Sequence, residues 1–354
     1  VHYRRFFDFG NGNVRWIGKI PSDYTQKFCM SQSNVSCLLE NYDIEVLRTW
    51  KGRGAILCEA NQGIFILKEY TGHREKVLFQ DALLTMIQER GFLNAEGIIR
   101  NKEQELLTQD QDGISYILKT YFEGRECNVR DMDECRQAVS TLARLHQVSR
   151  MEEIMFGTLT SRNAQADFEK HNKELRRVRK FLKERSQKTD FEIYLMKDYD
   201  YFFHSALQIT EELQAFKGEE EIFSACHGDY QYHNIIVSDG EMNLINFDKC
   251  VYDIPVRDLY LFMRKLLEKS GWAQNVGFEL VDTYNRVKQL EKEDYLQLYY
   301  RLAYPEKFWK IVNFYFNSGK AWIPGKNLEK LKKVTEQEKD KQIFLKRFKE
   351  KYGI

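Results

Sequence analysis

The sequence predicts an α+β fold of two lobes, a small antiparallel β-rich lobe followed by a larger, mainly helical one. Three observations carry this. Short apolar runs broken by Gly and Asn-Gln-Gly turns crowd residues 43–121, as antiparallel strands and their hairpins do. Apolar residues at helical spacing dominate residues 122–354, and β-like pieces return there only within 222–247. The 354 residues suffice for two domains or one large two-lobed unit.

Residues 1–42 read as an N-terminal extension and lead-in, because residues 1–23 mix Arg with Phe and Gly without a period. The N-lobe, 43–121, then takes shape. Ile44, Val46 and Leu47 lead into Gly52-Arg53-Gly54, Ala55 to Cys58 follow, and Asn61-Gln62-Gly63 separates them from Ile64 to Lys68. That pattern predicts three antiparallel strands. Phe79, Ala82, Leu83, Met86 and Ile87 predict a helix over Arg74 to Gly91, with Gly91 as its stop. Two further strands are expected at Glu105 to Thr108 and Ile114 to Tyr121, around the turn Asp110-Gln111-Asp112-Gly113. The lobe therefore reads β-β-β-α-β-β.

The C-lobe begins at residue 122. A helix starts near Asp131 and places Cys135, Ala138, Val139, Leu142, Leu145 and His146 on one face. His146 there reads as a satisfied core histidine. Ile235 to Val237 and Leu244-Ile245 flank an Asp239-Gly240 turn, and Pro255 opens a helix striped by Val256, Leu259, Tyr260, Met263, Leu266 and Leu267. The nine Lys and Arg residues of Lys170 to Lys188 accompany an apolar face of Leu175, Val178, Phe181 and Leu182, which predicts a solvated amphipathic helix. Asn327 to Lys349 is similar, with a stripe of Leu328, Leu331, Val334, Ile343, Phe344 and Phe348. The aromatic cluster from Tyr299 to Phe316 reads mostly as core.

Hydrophobic residues at 43% and charged residues at 30% are globular values that exclude collagen-like and disordered classes. Lys+Arg 54 against Asp+Glu 53 leaves a formal charge of +1, so no overall field draws the protein to nucleic acid or an anionic membrane. The 7 cysteines are odd in number and dispersed, without metal-ligand spacing, and read as reduced thiols. Cys226 and Cys250 flank the segments discussed next and read as small buried hydrophobes. No apolar run approaches the roughly 20 residues of a spanning helix, and the start lacks a signal-peptide core. The expectation is a protein made in, and first folding in, a cytosol.

The stretch that carries chemistry is His227-Gly228-Asp229-Tyr230-Gln231-Tyr232-His233-Asn234, followed by Ile245-Asn246-Phe247-Asp248. An Asp five residues before an Asn in a loop, with an acidic strand-end soon after, is how kinases place a hydroxyl acceptor and metal ligands around a nucleotide. The wording His-Gly-Asp, with Asp258-Leu259 about ten residues beyond the second segment, resembles the aminoglycoside phosphotransferase and choline kinase family. Within it, these segments together with Tyr252 to Leu259 and Phe122 to Glu126 look like the CotS-type spore coat branch. The resemblance spans roughly Asp43 to the C-terminus and implies a protein-kinase-like fold with ATP and Mg²⁺ as cofactors.

Residue by residue, it implies Asp229 as catalytic carboxylate and Asn234, Asn246 and Asp248 as metal ligands, with His227 and Asp258 supporting the site. Lys68 would grip the phosphates, paired with a carboxylate on the following helix, Glu75 first and Asp81 second. Gly52 and Gly54 would cover the phosphates, although a lone Gly-x-Gly is also an ordinary hairpin. Tyr121 and Phe122 would lie in the hinge that reads the adenine edge. One departure stands out: the family's main Mg²⁺-binding Asp falls on Asn246, which brings no negative charge to a hard cation. Two functions follow. One is an ATP-dependent phosphotransferase acting on the hydroxyl of a small molecule. The other is a weak or inactive kinase-fold protein that serves as a structural partner of other spore coat proteins.

Overall fold

The computed structural model describes residues 4–7, 14–17, 32–52, 54–150, 163–216, 223–317 and 324–354. Most of the N-terminal extension and Arg53 of the Gly52 to Gly54 turn lie outside the described residues. Strands β1 (Arg4–Phe7) and β2 (Val14–Ile17) pair antiparallel, in a stretch whose sequence shows no period. Helix α1 (Gln32–Leu39) follows, and its Val35, Leu38 and Leu39, with Tyr42, share one core cluster with the N-lobe sheet.

That sheet holds β3 (Val46–Gly52), β4 (Ala55–Ala60) and β5 (Gly63–Glu69), joined by the two expected hairpins. Helix α2 (Arg74–Glu89) comes next, then β6 (Ile98–Ile99), β7 (Thr108–Gln109) and β8 (Ser115–Thr120). The order is β3-β4-β5-β8-β6, with β7 on β8. The helix is where the period placed it, burying Phe79, Leu83 and Ile87. The strand expected from Glu105 shrinks to Thr108–Gln109, because Asn101 folds that stretch locally by accepting the Glu103 and Glu105 N–H groups. The Asp110 turn forms as expected, its Oδ1 accepting the Asp112 and Ile114 N–H groups.

The chain crosses to the helical lobe through β9 (Arg125–Glu126), which pairs with β11 (Ile235–Ser238). Helix α3 (Met132–Val148) is capped by Asp131, and α4 (Ala164–Glu184) and α5 (Asp190–Ala215) follow. Strand β10 (Ser224–Cys226) precedes β11, β12 (Glu241–Leu244) and β13 (Val251–Asp253); β10 pairs with β13 and β11 with β12. Helices α6 (Val256–Ser270), α7 (Gln274–Val287), α8 (Lys292–Ala303), α9 (Glu306–Asn317) and α10 (Pro324–Tyr352) complete the lobe. The basic helix α4 is amphipathic as its pattern requires, with Phe168, Leu175, Val178 and Leu182 buried.

On α10 one expectation is corrected. Ile343 is exposed, and Leu345 joins Leu331, Phe344 and Phe348 inside, since at 3.6 residues per turn 343 falls about one step off the buried face. Tyr299, Tyr300, Tyr304, Phe308 and Phe316 are core, as read. Among the described residues six cysteines are free, and all but Cys37 are buried. No described helix is long and apolar enough to cross a membrane.

Candidate functional site

The site starts where β10 ends. Gly228 takes φ +80°, and a Cβ there would overlap the Lys249 carbonyl oxygen. Only glycine lets loop 227–234 lie flat on segment 246–250. Beneath it Asp258, on the first turn of α6, is fully buried. It accepts the His227 N–H at 2.6 Å and the Gly228 N–H at 2.9 Å. His146 of α3 bridges Asp258, at 3.3 Å from Nε2, and the Tyr284 hydroxyl, at 2.8 Å from Nδ1. It is the satisfied core histidine expected, and it reaches the loop through Asp258.

Burial alone would push the Asp258 carboxyl up, but the His146 hydrogen bond and the neighbouring Arg257 hold it below its ordinary value. Burial keeps His227 low and neutral. A proton on Nε2 suits its contacts, since Nε2 faces the Ile245 carbonyl at 3.0 Å and Nδ1 accepts the Asp229 N–H at 3.2 Å.

Asp229 itself is 7% exposed. Its Oδ1 accepts from Gln231 at 2.6 Å and its Oδ2 from Lys249 at 2.8 Å. Burial raises the carboxyl, yet the Lys249 and Gln231 bonds outweigh it, so Asp229 stays below the usual carboxylate range. Asn234 donates to the Asp229 carbonyl at 2.8 Å, which pins the loop, while its Oδ1 faces the Asn246 amide at 3.3 Å.

From the other lobe, Lys68 on β5 donates to Asp248 Oδ2 at 2.9 Å and Asn246 Oδ1 at 3.3 Å. The expected partner on α2 is corrected. Glu75 is exposed on the first turn, where it favours the positive end of the helix dipole, and Asp81 pairs with Arg100. The carboxylate beside Lys68 is Asp248.

Sequence reading missed a second lysine. Lys119 on β8 is 1% exposed and bridges Glu96 at 2.9 Å and Asp248 at 2.5 Å. Glu96 also accepts the Asn246 and Phe247 N–H groups at 2.8 and 2.9 Å. A charged residue in an otherwise fully buried strand interior was the available signal for Lys119. Glu96 sits in a short loop with no pattern of its own. Lys249 was equally unweighed.

The segment expected to serve as hinge connects β8 to β9, and its Tyr121 N–H is committed to the Ile64 carbonyl at 2.8 Å. Hinge donors for an adenine edge would therefore come from beyond it, Phe122 included. Gly52 pairs with Ala55 at the end of the β3–β4 hairpin, leaving Gly54 in the turn. A cavity of about 210 Å³ is lined by Asn163, Gln165, Asp253, Gln297 and Arg301 among others. Arg257 links it to the loop, with Nε 3.2 Å from Asp253 and Nη1 3.3 Å from the Gly228 carbonyl.

The three expected metal ligands come together, yet they do not fit a magnesium ion. Mg²⁺ is held by anionic hard oxygens in near-octahedral array. Here Asn234 and Asn246 are neutral and bond each other, and both oxygens of Asp248, the sole carboxylate, are taken by ammonium groups.

The sequence profile of the family described as "Spore coat putative kinase YutH" matches residues 35–348. Spore coat protein S of Bacillus subtilis (strain 168) is 24% identical over 323 residues, 85% of this chain and 88% of that protein. Among solved structures, an aminoglycoside phosphotransferase from Alicyclobacillus acidocaldarius superposes with a TM-score of 0.78 at 17% identity, covering 94% of this chain and 99% of the other. A spectinomycin phosphotransferase in complex with ADP and spectinomycin superposes with a TM-score of 0.66 at 11% identity, covering 89% and 99%. The fold is thus kinase-like, of the aminoglycoside phosphotransferase type.

Proposed function

The chain belongs to the spore coat kinase family whose profile spans residues 35–348, and from that premise we propose a phosphotransferase of the spore coat. It binds a nucleoside triphosphate between the lobes and passes the terminal phosphoryl group to a hydroxyl of a small molecule. One observation carries this: Asp229, ionised and nearly buried, is held by a loop that Asp258, His227 and Asn234 lock in place. A carboxylate so positioned can orient an alcohol and take its proton. As the acceptor oxygen bonds to the γ-phosphorus, the bond to the β–γ bridging oxygen breaks, ADP leaves, and the hydroxyl proton passes to Asp229. Lys68, on the sheet across the cleft, faces the phosphates. The polar cavity around Asp253 and Arg301 is the candidate acceptor side.

The test follows label from γ-labelled ATP into a panel of polyhydroxylated acceptors, together with ADP release. Wild-type protein is expected to label an acceptor, and Asp229→Ala to slow transfer by at least about 100-fold. Equal rates in the two proteins would remove Asp229 from the chemistry.

A second reading has its own observation. Asn246 and the lysine-bound Asp248 favour a weakly active or inactive kinase-fold protein that works by contact with other coat proteins. It is separated from the first by Asn246→Asp. A rise in Mg²⁺-dependent ATP hydrolysis supports the weak-site reading, and no change beside a measurable Asp229-dependent rate supports the enzyme.

A further inference from the structure

Resting on the nucleotide-binding reading above, we infer that Lys119 and Lys68 supply the positive charge usually brought by a metal, so that the cleft takes a nucleoside triphosphate as the metal-free anion. Lys119 is almost wholly buried, and burying a lone ammonium is costly unless carboxylates meet it. Two do, Glu96 from its own lobe and Asp248 from the opposite side.

Glu96 is tied in turn to the backbone of Asn246 and Phe247. The cation is therefore a fixed part of the segment where metal ligands would stand.

Lys68 completes the arrangement from the open side of the cleft. Asp248 shares its two oxygens between the lysines, one each. A phosphate oxygen can therefore take the place of Asp248 on Lys68 while Lys119 keeps its grip on the other oxygen. A divalent ion placed on Asp248 would meet an ammonium group at each of its oxygens, with Glu96 already committed to Lys119 and to the Asn246 and Phe247 N–H groups, and the repulsion is strong over such distances. Asn246 adds no charge to attract it and lies in the left-handed region at φ +67°, which asparagine tolerates well. Lys249, on Asp229 and largely exposed, is a third ammonium within the same site.

Calorimetric titration of the full chain with ATP, in EDTA and in excess Mg²⁺, tests this. Wild-type affinities in the two conditions are expected to agree within about two-fold, meaning no coupling between metal and nucleotide. Asn246→Asp should tighten binding in Mg²⁺ alone, by about ten-fold. Because Lys119→Met leaves a buried carboxylate unmatched, the double change Lys119→Met with Glu96→Gln is used, its folding checked by thermal melting. It should weaken ATP binding in EDTA by about ten-fold. If wild type binds at least about ten-fold more tightly with Mg²⁺, the inference falls while the nucleotide-site reading stands. If ATP binds in neither condition, the nucleotide-site reading itself falls and takes the inference with it.

Discussion

Asp258 shows how much a single residue can hold. Fully buried, it accepts two consecutive backbone N–H groups at the start of loop 227–234 and faces His146. Asp258→Ala would leave those donors and His146 Nε2 unmatched, at a cost of about 3 kcal/mol. Urea denaturation should show the loss, and nucleotide binding should fall with it because loop 227–234 is no longer locked. Asp258→Asn keeps the shape and one acceptor oxygen, so it should recover part of the stability. Part of this was legible: His227, Asp229 and Asn234 stand in one motif with Asp258 a fixed distance beyond it, so the resemblance could single out all four. Lys119 and Glu96 were not. They lie 23 positions apart by number, and each touches Asp248 or its neighbours only because two lobes close on one another.

At the scale of elements, periodicity located α2, α3, α4, α6 and α10, because each buries one stripe. The stripe of α10 is the instructive case. Phe344 is fully buried and packs on Trp272 and Phe278, with ring centroids 5.7 and 5.4 Å away. Phe344→Ala is expected to cost about 3 to 5 kcal/mol through lost contacts and a cavity between α10, α7 and the turn that precedes α7. Ile343→Ala on the exposed side should cost less than about 0.5 kcal/mol. Thermal melts of the two variants separate the faces directly. Short strands escaped the sequence for the opposite reason. Pieces such as Ile98–Ile99, Arg125–Glu126 and Val251–Asp253 are too brief for a period and exist only through partners distant in the chain.

For the whole molecule, the two lobes meet through charges as well as apolar contact, and this sets a pH response. Burial would raise the Asp248 carboxyl, but Lys119 and Lys68 hold it far below the ordinary value of 3.8. A depressed carboxylate contributes its full stability above that unfolded value and loses it as pH falls toward the folded one. Stability from this pair should therefore be level from neutrality to about pH 4 and decline below it. Asp248→Asn should flatten that acid limb in melting curves recorded across pH. On the alkaline side, Lys119 contributes fully below 10.5 and loses its contribution as pH rises through about 12.

The sequence by itself determined the two-lobed α+β class, the motif of loop 227–234 and the family resemblance, since each is written in local spacing and short motifs. The tertiary structure alone decided which carboxylate meets Lys68, that Lys119 stands buried beside it, and that the expected metal ligands are already engaged. Those are facts about approach across a cleft. The energy of a charge depends on what surrounds it in space, which no local pattern records.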